Sequence, residues 1–406
     1  MYEFDRDRLE KVHALRAEGI PAWPSGFTPT HTSAQIRALV EGVEDDALDA
    51  LGAFTFAGRL LLKREMGKAG FGGLLDRAGR LQIYVKRDDV GEEGLALFKK
   101  LDLGDIVGVT GTLMRTRTGE LTIKVAELRL LSKCIQSLPD KFHGVSDPEL
   151  RRRQRYLDLF VNDETRVTFE RRSKIVSYVR RFFDERAYLE VETPMMHPIP
   201  GGATARPFVT HHNALDADFY LRVAPELYLK RLVVGGFERV YEVGRTFRNE
   251  GFDATHNPEF TMLEFYQAYA TWKDLVTLTE ELMHGLVVQV TGGETFTYQG
   301  QEVSFRRPFR VAGMDELISE KTGLTIAQVH DAAHMRVFTG MDKTLGKLWE
   351  HCFDLHVEKS LVDPTFVTRF PIEISPLARR SETSRTSPSA SSSSAPAASS
   401  ATASPS

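Results

Sequence analysis

The residues best suited to chemistry lie in one polar loop, residues 244–260, which reads GRTFRNEGFDATHNPEF. An arginine fork gives bidentate hydrogen bonds to a phosphate and can follow its charge through a transfer. Arg248 is placed for that work. Glu250 and His256 share its loop, and the flat ring of Phe260 offers a face to a base. A surface loop of salt bridges would carry the same residue types without any ligand. The following strand adds context. Side chains alternate along a strand, so Phe260, Met262, Glu264 and Tyr266 share a face. An acid and a phenol among apolar neighbours are costly to bury without a partner. That partner is either a cationic ligand or an internal arginine, Arg222 or Arg245. Glu226 follows Pro225 at a helix start, where a carboxylate serves the helix dipole or binds an amine. Residues 200–207, PGGATARP, are neither a P-loop nor a dinucleotide fingerprint. They read as a turn, or as a place where backbone approaches a small ligand. His211 and His212 face opposite ways, and His351 and His356 fall off a common helix face. No histidine metal site is expected.

The elements that position these residues follow from periodicity. Ile175, Val176, Val179, Phe182 and Phe183 mark one face of a long amphipathic helix. It must stop before residues 188–194, where alternation restarts and Pro194 forbids continuation. Strands fit residues 219–223, 238–247 and 260–269, and the polar loop between the last two makes them antiparallel. This is an α+β layout with its own core. Beyond it, a hairpin around Gly300 and then helices are expected. Ahead of it, residues 53–131 alternate at period 2, with turns at Ala78-Gly79 and Thr118-Gly119 and a helix over 92–101. Three strands, a helix and two strands are the order of an OB fold, and equally of a small β-barrel without a ligand. Residues 1–50 carry five bases and ten acids, net −5, while residues 53–131 carry fourteen and ten, net +4. The acidic front shows helical spacing at Leu9, Val12, Leu15 and at Ile36, Leu39, Val40. It is too poor in apolar residues to fold alone and should pack on the strands after it. A linker with Pro139, Gly144 and Pro148 leads to Arg151, Arg152, Arg153 and Arg155 beside Tyr156. That cluster reads as a solvated helix start or a phosphate contact.

Composition sets the outer bounds. Of 406 residues, 27% are charged and 42% hydrophobic, the balance of a folded globular protein with two or three domains. No run of eighteen apolar residues and no apolar leader occurs, so a cytoplasmic protein without a membrane span is expected. Two cysteines, Cys134 and Cys352, exclude a disulfide framework. A net charge of −4 confines any nucleic-acid contact to a local patch.

Taken together, residues 247–251 (FRNEG) with 256–260 (HNPEF) resemble motif 2 of the class II aminoacyl-tRNA synthetases. The long helix ending at residues 190–194 (EVETP) resembles their motif 1, whose proline sits at the dimer interface. The OB order and residues 224–232 (APELYLKRL) narrow the resemblance to the lysyl-tRNA synthetases, as do residues 200–207 and 211–215. A related lysyltransferase that modifies a translation factor lacks the OB domain. The aspartate and asparagine enzymes share the architecture, but Glu226, Glu264 and Tyr266 suit lysine. The resemblance implies an α+β fold: an N-terminal OB-fold β-barrel followed by a class II antiparallel-sheet catalytic domain. The implied organisation is a helical extension over 1–50, an anticodon-binding OB fold over 51–132, a linker over 133–165, an incomplete catalytic domain over 166–380 and a disordered tail over 381–406. The implied activity is ATP-dependent activation of L-lysine to lysyl-adenylate, followed by transfer to tRNA(Lys), by a homodimer using Mg2+. Carried over position by position, Arg248 would hold the α-phosphate of ATP and the substrate carboxylate. Asn249 and Glu250 would position ATP, His256 and Asn257 would meet its phosphate or adenine side, and Phe260 would stack on adenine. Gly202, Glu226, Glu264 and Tyr266 would line the lysine pocket, and Phe71, Gln82 and Glu120 would read the anticodon.

The resemblance stops at Arg380. The magnesium-binding acidic strand, a glutamate for the lysine ε-ammonium and the arginine of motif 3 find no match, so no metal ligands are assigned. In residues 381–406, 24 of 26 are Ser, Ala, Pro or Thr. The expectation is a frameshifted tail on a chain that is inactive or nearly so; the alternative is a natural tail on a shortened paralogue. A non-catalytic tRNA-binding or regulatory remnant is the second reading of function.

Overall fold

The computed structural model describes residues 4–138, 147–251, 253, 256–375 and the backbone of 391–392, with the side chain of Phe160 excepted. Pro139, Gly144, Arg380 and most of the tail lie outside the described residues. The chain divides into two compact units, Met1–Thr168 and Phe169–Ser406.

The first unit begins with α1 (Arg6–Ala17) and α2 (Ser33–Leu39). Five strands come next: β1 (Phe54–Met66), β2 (Ala69–Leu75), β3 (Arg80–Lys86), β4 (Ile106–Arg115) and β5 (Leu121–Ser132). They close into a ring in the order β1-β2-β3-β5-β4, with β1 hydrogen-bonded again to β4. Only β3 and β5 run parallel. Helix α3 (Arg87–Lys100) sits between β3 and β4. It starts earlier than the spacing implied, because two helical turns merge across a kink at Gly91, φ 75°. Alternation fills the interior: Phe56, Leu60, Leu74, Ile83, Val85, Val107, Val109, Ile123 and Val125 are fully buried. Leu15 of α1 and Ile36 of α2 join the same core, so the acidic front packs on the strands as its low apolar content requires. Thr32 and Gln35 form a capping box that starts α2. At the register shift in β4, a Cβ on Gly111 would lie 2.0 Å from the carbonyl oxygen of Lys124, so only glycine fits. The arginine cluster falls on α4 (Pro148–Arg153) and α5 (Arg155–Val161). Arg151 and Arg155 both pair with the buried Asp158, so these two serve a local ion network.

α6 (Asp163–Asp184) starts within the first unit, with Arg166, and runs on into the second, where Ala187, φ 58°, turns the chain back to the sheet. The short β6 (Leu189–Glu190), β7 (Met196–His197), β8 (Val209–His212) and β9 (Ala217–Leu221) precede α7 (Glu226–Val234), β10 (Arg239–Phe247), β11 (Glu259–Gln267) and α8 (Trp272–Thr291). β10 and β11 form the expected antiparallel pair, with β6 parallel on the far edge of β10. A second sheet runs β7-β9-β8. One face of β10 and β11 packs Tyr241, Val243, Leu263 and Phe265 against Phe182 and Phe183 of α6 and Leu282 of α8. The opposite face is left for chemistry. The hairpin at Gly300 is present, with Gln299 and Gly300 both at positive φ. Helices then pack around Trp349 between two parallel strands, Arg310–Gly313 and Thr365–Thr368. Of the tail, the backbone of Ser391–Ser392 pairs with Phe370–Pro371, and the rest of residues 381–406 lies outside the described residues.

Candidate functional site

The site is built on the face of the β10–β11 pair opposite the one packed on α6 and α8. Register places Val240 opposite Tyr266, Glu242 opposite Glu264, Gly244 opposite Met262 and Thr246 opposite Phe260. Phe260, Met262, Glu264 and Tyr266 therefore line one face, and β10 adds an acid and a glycine to it.

Glu264 and Tyr266 are coupled: the Tyr266 hydroxyl donates to the Glu264 carboxylate at 3.3 Å. Burial pushes the Glu264 carboxyl above its ordinary value of 4.5, against the Tyr266 bond, and the charges of Glu226 and Glu242 push it further. Burial, then the Glu264 charge, raises the Tyr266 phenol. Neither arginine considered from the sequence neutralises Glu264. Arg245 pairs with Glu259, and Arg222 pairs with Glu242. Glu226, at the start of α7, pairs with Lys230 one turn on, and the Lys230 ammonium lies 6.0 Å from the centre of the Tyr266 ring. Gly202, φ 93°, closes the group: a Cβ there would stand 3.3 Å from the Cβ of Glu226. Gly202, Glu226, Glu264 and Tyr266 are thus brought together.

Beneath them lies a network that the sequence did not reveal. Arg222 is fully buried; its Nε donates to the carbonyl of Arg245 at 2.8 Å, and its Nη1 donates to Thr193 and Glu242. Glu242 also accepts the Thr193 hydroxyl at 2.6 Å. The guanidinium needs the space above Gly244, where a Cβ would sit 2.2 Å from Nη2. The available signal was the alternation of Val240, Glu242, Gly244 and Thr246, which puts an acid and a glycine on a buried face.

At the other end, the Arg248 guanidinium lies 5.2 Å from the centre of the Phe260 ring. Its Nε is buried with no hydrogen-bond acceptor among the described residues. The loop is held near its base, where the Arg248 amide donates to Pro258 O at 2.9 Å and the Asn249 amide to Arg206 O at 2.7 Å. Glu250, His256 and Asn257 are exposed in the loop, and His256 pairs with Asp253. The structure brings Arg248 and Phe260 together, while Glu250, His256 and Asn257 are exposed in the same loop.

On the ring, Phe71 is not core. Gly70 and Gly72 point inward, and Phe71 faces out beside Tyr84, with ring centres 4.8 Å apart. Gln82 lies two residues before Tyr84 on the same face, and its carbonyl accepts the Thr122 hydroxyl at 2.8 Å. Glu120 is exposed and pairs with Arg37 at 3.7 Å. Tyr84 is a residue that the alternation around Gln82 implied and the motifs missed.

Among the described residues, no group of three or more His, Cys, Asp or Glu could hold a metal ion. The magnesium that the resemblance implies finds no donor set there, and no reaction step is routed through it. No helix among them is long and apolar enough to cross a membrane.

Comparison with known proteins adds two kinds of match. Residues 147–399 match the family model for tRNA synthetases class II (D, K and N), and residues 54–131 match the OB-fold nucleic acid binding domain. The first match runs past Arg380, further than the motif resemblance reads. The chain is 50% identical over 388 residues to a lysine–tRNA ligase of Pectobacterium carotovorum subsp. carotovorum, covering 93% of this chain and 76% of that one. It is 47% identical over 388 residues to one from Thioalkalivibrio sulfidiphilus (92% and 77%) and 46% identical over 386 residues to one from Clostridium tetani (92% and 76%).

Proposed function

The chain belongs to the lysine–tRNA ligase family of class II aminoacyl-tRNA synthetases, and on that premise we propose that its β10–β11 face activates L-lysine with ATP for transfer to tRNA(Lys). A lysine carboxylate oxygen attacks the α-phosphorus of ATP. The bond to the bridging oxygen breaks, and pyrophosphate leaves. A terminal hydroxyl of the tRNA then attacks the carbonyl carbon of the anhydride, and AMP leaves. No protein nucleophile is needed, so catalysis rests on position and on charge. Arg248 meets both the α-phosphate and the substrate carboxylate, and its orphaned Nε is a donor that an anion satisfies. Phe260 takes the adenine, with Asn249, Glu250, His256 and Asn257 contributing from the loop as it closes on ATP. Glu226 and Gly202 receive the α-ammonium, and Glu264 with Tyr266 the side-chain ammonium.

The observation that carries the lysine assignment is Glu264, a half-buried carboxyl with no ion-pair partner among the described residues and a phenol beside it. A buried acid of this kind is stabilised by an incoming cation. On the ring, Phe71, Gln82 and Glu120 read the anticodon, with the Phe71–Tyr84 pair as a stacking platform. Exposed Met196 (51%) and Ile199 (76%) beside Pro194 support a homodimer, for which sedimentation would show twice the chain mass. A cytoplasmic setting fits this role. The test is amino-acid-dependent ATP–pyrophosphate exchange with lysine, aspartate and asparagine. Exchange with lysine alone is expected of this site, and exchange above background would overturn the sequence expectation of an inactive or nearly inactive chain. Exchange with aspartate or asparagine, or none with any, overturns the reading; the same result decides against or for the binding-only remnant weighed from the sequence.

A further inference from the structure

The outer face of the ring carries a charged cleft that none of these roles uses. It has a volume of about 320 Å³ and is lined by Arg59, Arg77 and Arg166, with Leu75 and a single acid, Asp76. That acid is already occupied. Its Oδ1 accepts the Ser33 hydroxyl at 2.6 Å and the amides of Ala78 and Gly79 at 2.9 Å, and its Oδ2 accepts the Ser33 amide at 2.9 Å. Those four bonds hold the carboxylate toward Ser33 and the turn, and its single negative charge stands against three guanidiniums. Arg59 donates to Gly104 O at 2.7 Å, a neutral acceptor that leaves its charge in place. Arg166 donates to two carbonyls, Asp76 O at 3.3 Å and Leu159 O at 3.2 Å. Its Nε is buried without an acceptor, and it has no carboxylate partner among the described residues. Arg77 is exposed and has no partner among them. By contrast, the nearby Arg80 pairs with Asp163. Arg59, Arg77 and Arg166 against one carboxylate give the cleft an excess of positive charge, and one buried N–H still needs an acceptor. An anion with several acceptor oxygens and room for more than one arginine fork is a phosphate.

The location says which phosphate. Phe71, Gly73 and Leu75 share the outer face of β2, and Leu75 pairs with Arg59 of β1. Four residues along a strand span about 13 Å, at roughly 3.3 Å each. The cleft therefore opens on the face that carries the Phe71–Tyr84 pair, one strand segment away. A positively charged groove beside stacking aromatics is how such folds hold the backbone of single-stranded nucleic acid.

We propose that the Arg59–Arg77–Arg166 cleft binds a backbone phosphate of the RNA whose bases stack at Phe71 and Tyr84. The proposal rests on reading the ring as an RNA-binding unit. The test is fluorescence anisotropy of a labelled anticodon stem-loop with the full chain across a salt series. Arg77→Gln, at an exposed position, is expected to weaken binding about fivefold at low salt and to flatten the slope of log K against log salt by about 0.7 to 0.9. Arg166→Lys, which keeps the charge and loses the fork, is expected to weaken binding in the same direction. If it unfolds the chain, Arg77→Gln decides alone. Phe71→Ala should lower affinity while leaving the slope intact, and Arg77→Gln should not alter lysine-dependent pyrophosphate exchange. Inorganic phosphate should compete with RNA on wild type more than chloride of equal ionic strength does, and less on Arg77→Gln. Wild-type affinity and slope in Arg77→Gln, with binding lost in Phe71→Ala, overturn the cleft and leave the RNA-binding face standing. Phosphate competition with an unchanged RNA slope assigns the cleft to free phosphate and overturns the RNA assignment. No RNA binding by wild type overturns both.

Discussion

Glu264 is where single-residue chemistry is most exposed. Its folded pKa is raised by burial, which disfavours the charged form relative to the unfolded chain. The stability tied to that proton is present below the ordinary value of 4.5 and is lost as pH rises through the folded pKa. Glu264→Gln, neutral at every pH, is therefore expected to raise the melting temperature near neutral pH, with the gain vanishing below about pH 4.5. The same substitution should weaken lysine binding about 10- to 100-fold, the scale of a lost hydrogen bond to a charged group. Lysine affinity in the wild type should fall as pH drops through the raised pKa, at a higher pH than for an unperturbed carboxylate. Arg248→Lys keeps the charge and loses the fork that holds two oxygens. It should lower kcat for exchange about 100-fold or more, as removal of a preorganised donor does, and an unchanged kcat would remove Arg248 from the reacting centre. Glu264 and Tyr266 were legible because period 2 alone puts them on one face. Lys230 was not, since an intrahelical Glu–Lys pair looks the same on any solvated helix. Arg222 was weighed only as a partner for Glu264, because pairing with Glu242 depends on strand register.

At the scale of elements, the β10–β11 pair organises the site, and its tolerances are narrow. Gly244 leaves room for a buried guanidinium. Gly244→Ala should cost about 1–3 kcal/mol by overpacking, read in urea unfolding. Glu242→Ala leaves Arg222 buried without its counter-ion and should cost about 3–5 kcal/mol; wild-type stability in either variant would contradict the packing described. The two strands and their loop were readable from alternation broken by a polar run. The ring was readable as a strand order, but two alternatives stayed open because periodicity does not show whether an aromatic such as Phe71 faces in or out. Gly70 and Gly72, which fill the inward positions of β2, settle it. The helices around Trp349 were legible only as helices, since their packing between two parallel strands joins residues some fifty positions apart in sequence.

The whole molecule is two units with separate cores, one presenting stacking aromatics and arginines, the other a strand pair with acids at one end and an arginine with a spare donor at the other. That division predicts separable losses. Phe71→Ala should remove about 1–3 kcal/mol of RNA affinity and leave lysine binding intact, whereas Glu264→Gln should do the reverse. The central claim is that the pocket recognises a side-chain ammonium through Glu264. Titration calorimetry of L-lysine into the wild-type chain and into Glu264→Gln, at neutral and at mildly acidic pH, tests it most directly. One lysine should bind per chain, weakened by acid in the wild type, and much more weakly and without that pH sensitivity in the variant. Equal lysine affinity in the two proteins at neutral pH would contradict it.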